Sequence, residues 1–231
     1  MTVNLHINTH LNDTQQALNR QTSLQISTMS NPHQTFETIY ASLLTHPAPL
    51  LPPARPRTPS LTATISSLSL HPTLEAALHI LNADLPSAHF LVRHMQAAPA
   101  HEGMYLHGIL HRIEGDYDNA RAWYGDVAES DVFRRVWGEK EGGKEGALGF
   151  VGRVEALRKA KGKGEGKGVR EEREGLERES GREIGGVVEW CVGRFGTEAW
   201  GDASAVWTRP DEVHRVVGNE MVSGGKGYRE F

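Results

Sequence analysis

The side chains best suited to chemistry are crowded into one part of the chain. Seven of the twelve histidines (71, 79, 89, 94, 101, 107 and 111) fall within 41 consecutive residues. In "HGILHRIEGDYDNARAWY", residues 107–124, His107, His111 and Glu114 stand at i, i+4 and i+7. At roughly 100° per residue these positions lie at about 0°, 40° and −20°, so one helix face carries all three. Two imidazoles one turn apart can ligate a single ion, and a carboxylate beside them completes a set suited to zinc, iron or manganese. His89 or His94 is the natural fourth group, and Asp116 a partner for a ligating ring. The segment is not an H-E-x-x-H metalloprotease motif, because Gly108 and Ile109 follow His107 and leave no general base there.

Two other readings of the same residues stand beside the divalent metal ion. In a metal-free site His107 or His111 would be the catalytic proton-transfer group, because imidazole titrates near neutrality. Arg112 and Arg121 would then hold an anionic small-molecule ligand, with Asn119, Trp123 and Tyr124 lining the pocket. In the purely structural reading the histidines pack as aromatics, Glu114 pairs with Arg112 or solvent, and Asp116 caps a helix. Cys191, the single cysteine, is a nucleophile only if His214 reaches it; among apolar helical neighbours it reads as packing.

The elements that must position these groups are helical. Leu74, Ala77, Leu78 and Leu81 share one face, and Ala88, Leu91, Val92 and Met95 share the next, across a break at "NADLP". The plan repeats with Met104, Leu106 and Ile109, a break at "EGDY", then Tyr117, Ala120, Tyr124 and Val127. A shift of 32 residues places Asp84 on Asp116, Ala88 on Ala120 and His79 on His111. Two successive helical hairpins are expected.

The second hairpin resembles a tetratricopeptide (TPR) unit in Gly108, Gly115, Asp116, Tyr117, Ala120 and Tyr124. The first resembles it less closely, with Ala83 at the turn-glycine position and Leu85 at the tyrosine. The resemblance spans about 60 residues and implies close-packed helix pairs and a peptide-binding protein partner. The chain is also similar to a broad group of fungal and bacterial proteins with comparable "HGI-HR-E-DY-NA" segments, a likeness that implies no mechanism.

Composition sets the rest. The net charge of −4 argues against a nucleic-acid binder, and no apolar run is long enough for a membrane helix. With no basic-then-apolar leader and one cysteine, a cytoplasmic protein is expected; oligomeric state is not legible. Residues 1–33 form a polar arm, and 34–45 a helix built on Phe36, Ile39, Tyr40, Leu43 and Leu44. Residues 46–69 are a Pro/Ser/Thr-rich linker, with PxxP-like character, and 70–137 hold the hairpins. Residues 138–183 read as a charged, Gly-rich loop, with room for a short helix at "FVGRVEALRKA". Between 139 and 183, 23 of 45 residues are charged and 11 are glycine, and each internal glycine costs a helix about 1 kcal/mol. Helical character recovers in "VREEREGLERESGREIGGVVEWCVGRFG", where Leu176, Ile184, Val187, Val188, Cys191 and Val192 supply apolar positions and Gly196 a stop. Residues 184–231 supply C-terminal helices that cover the hairpins, and a tail "GGKGYREF" without phosphate-loop spacing.

The expected fold is therefore all-α: stacked TPR-like hairpins with a C-terminal helical portion packed on them. The expected function is a small enzyme or ligand-binding protein using His107, His111, Glu114 and His89, with metal-assisted hydrolysis or oxidation as the reaction classes. The alternative is a non-catalytic TPR-like interaction module.

Overall fold

The computed structural model describes residues 34–160 and 166–208, and these are all-α. The expectations for the N-terminal arm, His214 and the "GGKGYREF" tail lie outside the described residues. The helices are α1 (Phe36–Leu43), α2 (Pro59–Ser67), α3 (Pro72–Leu81), α4 (Leu85–Val92), α5 (His101–Glu114), α6 (Tyr117–Val127), α7 (Asp131–Val136), α8 (Gly143–Ala160) and α9 (Lys167–Phe195). Among the described residues, no helix is long and apolar enough to cross a membrane.

Local signals start and stop these helices where the residues demand it. Asp84 accepts a hydrogen bond from the Ser87 N–H at the start of α4, and Asp116 accepts one from Asn119 N–H at the start of α6. Pro59 and Pro72 open α2 and α3, where a missing N–H costs nothing. Gly115 closes α5 at φ +91°, a left-handed conformation that glycine adopts freely. Ala83, its counterpart 32 residues earlier, adopts φ +59° without that freedom. The expected repeat is thus present in the turns: the N–H of Asp84 bonds the carbonyl of His79, and the N–H of Asp116 that of His111. Helices α3/α4 and α5/α6 each pack as a pair, and α4 also packs on α5.

The charged segment departs from its expected form. Helix α8 and most of α9 occupy what composition marks as loop, because each carries a continuous apolar stripe. Ala147, Phe150, Val151, Val154 and Leu157 are buried along α8; Leu176, Ile184, Val187, Val188 and Cys191 are buried along α9. At 29 residues α9 is about 43 Å long, and it packs against α3, α7 and α8. Burial of that stripe outweighs the glycine cost, because each apolar side chain returns about 1.5–3 kcal/mol. The Pro-rich segment is not a free spacer either. Ala48, Pro49 and Leu50 are buried, and the backbone of Arg57 and Thr58 is held by Asn82.

One charge lies at the centre of this packing. Glu183 of α9 is fully buried and accepts hydrogen bonds from Tyr105 Oη (3.0 Å), Tyr124 Oη (2.8 Å), Trp137 Nε1 (3.0 Å) and Arg112 Nη2 (2.8 Å). The Arg112 guanidinium is equally buried, lies over the Phe150 ring and also donates to Ser180 Oγ. Burial, then the Glu183 charge, pushes both tyrosine hydroxyls well above their ordinary range. Arg112 is therefore a structural residue and not the ligand-binding arginine expected from its position.

Candidate metal centre

Gly108 and Ala120 allow α5 and α6 to approach closely, and that contact builds one wall of the site. A side chain at 108 would meet Tyr124 Cδ1 at 2.9 Å and Trp123 Cβ at 3.0 Å. Trp123 is thereby laid flat on His107, with ring centroids 4.6 Å apart and planes 25° from parallel. On its other face His107 stacks on His111, at 4.7 Å. The packing of α4 on α5 then brings in His89, whose Nε2 lies 3.1 Å from His107 Nε2. Among the described residues, His89, His107 and His111 are the group that brings one ring nitrogen each within 4.8 Å of the others.

Glu114 sits behind this trio. Its Oε1 lies 3.3 Å from His89 Nδ1 and its Oε2 lies 3.5 Å from His111 Nδ1. The carboxylate favours the proton on His89 Nδ1, so that His89 Nε2 accepts from His107 Nε2–H across their 3.1 Å contact, while His111 Nδ1 stands near the carboxylate without a hydrogen bond. Asn119 places its Nδ2 3.3 Å from His111 Nε2 as donor. Asp116 adds a second carboxylate 3.7 Å from His111 Nδ1. Glu114 therefore orients the His89 ring instead of standing among the ligands, a correction to its expected place in the metal set.

The electrostatics follow from burial. His107 is 4 % exposed; desolvation, then the neighbouring His111 and His89, push its pKa down to about 3, so it stays neutral. Desolvation raises the Glu114 pKa, but the neighbouring His111 and His89 overcome this and draw it down to about 2. The side chains of His89 and Glu114 remain about one-third exposed, at 35% and 32%, so the cluster opens to solvent on that side.

The remaining expected residues separate cleanly. Arg121 is engaged by Asp118 through Nη1 and by Glu155 through Nη2, which neutralises it as an anion-binding group. Asn119 serves the α6 cap and His111. His94 lies elsewhere, its Nδ1 donating to the Phe90 carbonyl at 2.8 Å and its ring edge against Trp207. Cys191 is buried, and desolvation followed by Glu102 pushes its thiol upward, which makes it inert packing.

The repeat offers an internal comparison. His79, the counterpart of His111, also faces its capping carboxylate, with Nδ1 3.4 Å from Asp84 Oδ2. The His–Asp contact at a hairpin turn is thus part of the scaffold. Glu75 stands at the His107 position in the first hairpin, and the His89–His107 pair bridges α4 of the first hairpin and α5 of the second. Sequence reasoning missed Glu183 altogether; its signal was its register, seven residues after Leu176 and four before Val187 on the apolar face of α9. No protein-family model matches the chain, and neither a curated protein nor a solved structure does.

Proposed function

We propose that this protein binds a divalent transition metal through His89, His107 and His111 and uses it in hydrolytic chemistry on a small molecule. The observation that carries this reading is the 3.1 Å approach of two imidazole Nε2 atoms, with a carboxylate on His89 Nδ1. Tetrahedral zinc with bonds of about 2.0–2.1 Å separates its ligand atoms by about 3.3 Å. The widest gap within the trio, at most 4.8 Å, must narrow by side-chain rotation for one ion to bridge all three.

The chain's own groups divide the work. Trp123 and Gly108 hold His107 in place, and burial keeps its imidazole neutral, as a ligand must be. Glu114 fixes the tautomer of His89 and balances part of the ion's charge. A trio of imidazoles with one face open to solvent leaves a coordination position for water, whose pKa such an ion lowers toward 7. Metal-free acid–base catalysis fits less well, since a base with a pKa of about 3 at His107 is far from the working pH.

Untagged protein is expected to carry one zinc-type ion per chain, by elemental analysis, and to lose it on His107→Ala with the helical circular dichroism preserved. Metal-free protein at saturating zinc, with unchanged thermal stability, would refute the reading. The alternative, an interaction module without catalysis, rests on the exposed aromatic pair Phe90 (55%) and Trp207 (39%) beside α4. Partner capture abolished by Phe90→Ser, with metal content unaffected by the histidines, would favour it.

A further inference from the structure

A cavity of about 760 Å³ opens beside the histidine cluster. It is lined by Glu114, Gly115, Asp116, Tyr117 and Asp118 of the α5–α6 turn, and by Glu155, Arg158 and Lys159 of α8. Its position follows from Gly115, because the Arg158 guanidinium occupies the space that any side chain at 115 would fill. Arg158 Nη1 donates to the Glu114 carbonyl at 2.8 Å, which anchors it next to the residue that orients His89.

The charges of this cavity are spoken for unequally. Glu155 is bound by Arg121 and Lys159, and Asp118 by Arg121. Asp116 accepts from the Asn119 N–H and Nδ2, and Glu114 faces His89 and His111. The four carboxylates are therefore engaged. Arg158, by contrast, uses one of its five N–H directions and meets no carboxylate among the described residues. Tyr117 adds a second unspent donor: the residue is 9 % exposed, and its buried hydroxyl has no hydrogen-bond partner. A buried hydroxyl without a partner is costly unless something supplies one.

We infer that this cavity is the substrate pocket of the metal site and takes an oxyanion group, phosphate or carboxylate, on Arg158 and Tyr117. The inference rests on the proposed metal reading, since the pocket and the ion share Glu114 and Asp116. Arg158 offers a planar fork of donors that matches either oxyanion.

The test uses full-length untagged protein loaded with Co²⁺, inorganic phosphate as the probe, and ³¹P relaxation as the readout. Wild type is expected to bind phosphate and to show ³¹P relaxation enhanced by the paramagnetic ion. Arg158→Gln should weaken phosphate binding about tenfold or more, Arg158→Lys should restore only part of it because the charge returns without the planar fork, and Tyr117→Phe should weaken it about threefold. Acetate displacing phosphate at equal concentration marks a carboxylate pocket; failure to displace marks a phosphate pocket. Equal phosphate affinity in wild type and Arg158→Gln overturns the inference, and so does Arg158-dependent binding without relaxation while Co²⁺ is bound. If Co²⁺ fails to bind but phosphate binding still depends on Arg158, the metal reading falls and the oxyanion cavity stands alone.

Discussion

Replacing Glu183 by Gln removes one charge from the centre of the protein while keeping its volume and one carbonyl acceptor. Four donors converge on that carboxylate at 2.8–3.0 Å, and one of them, Arg112, is a fully buried cation. Breaking a buried pair from one side leaves the other charge uncompensated, which costs about 3–5 kcal/mol. The chain between Phe36 and Thr208 melts by roughly 2–4 °C per kcal/mol at this size, so Tm should fall by about 6–20 °C. Differential scanning calorimetry and urea unfolding at pH 7 measure this directly. The double variant Arg112→Met with Glu183→Leu removes both charges and should recover more than half of the loss, since no orphan cation remains. A loss under about 1 kcal/mol in Glu183→Gln, or a double variant as unstable as the sum of its singles, would refute the picture of a structural hub. Metal content should be unchanged in both, because Arg112 belongs to the core.

Three further outcomes follow from particular residues. Glu114→Gln should lower zinc affinity by about 10–100-fold in a competitive chelator titration, because the amide accepts from His89 Nδ1–H more weakly than a carboxylate does; an unchanged affinity contradicts the orienting role. Ala83→Gly should raise stability by about 0.5–1 kcal/mol in urea unfolding, since φ +59° strains alanine and not glycine. On acidification metal-free protein should lose stability from His107, whose folded pKa of about 3 lies below the unfolded value near 6.5. The unfolded chain takes up that proton first, so the stability present above pH 6.5 declines toward pH 3. By pH 5 the loss is on the order of 2 kcal/mol, and His107→Phe should flatten that slope.

Where local chemistry decides structure, the chain was readable. The Asp84 and Asp116 caps, the Gly115 turn and the two helical pairs all follow from residues adjacent in sequence. The 32-residue offset also appeared correctly, down to the matched His–Asp turns. Helix α9, with its apolar stripe from Leu176 to Cys191 and its stop at Gly196, is legible from residue 169 onward, whereas α8 exceeds the short helix expected, because glycine and charge counts describe a segment's average and a helix is held by its buried stripe. Phe150, Val154 and Leu157 already showed that period. Arg112 was assigned to ligand binding because its partner lies 71 positions away, a distance no local pattern spans. His89 is named by the sequence as a candidate, but its approach to His107 depends on how α4 packs on α5. Glu114 had the right neighbours and the wrong role, since helical spacing shows which side chains share a face and not which ring nitrogen each one meets.

X-ray absorption at the zinc K-edge tests the metal centre most directly, because it counts the imidazoles around the ion. The account predicts three imidazole nitrogens at about 2.0–2.1 Å in wild type, and two after His89→Ala. An oxygen-dominated shell, or an imidazole count that does not change when His89 or His107 is removed, would contradict it.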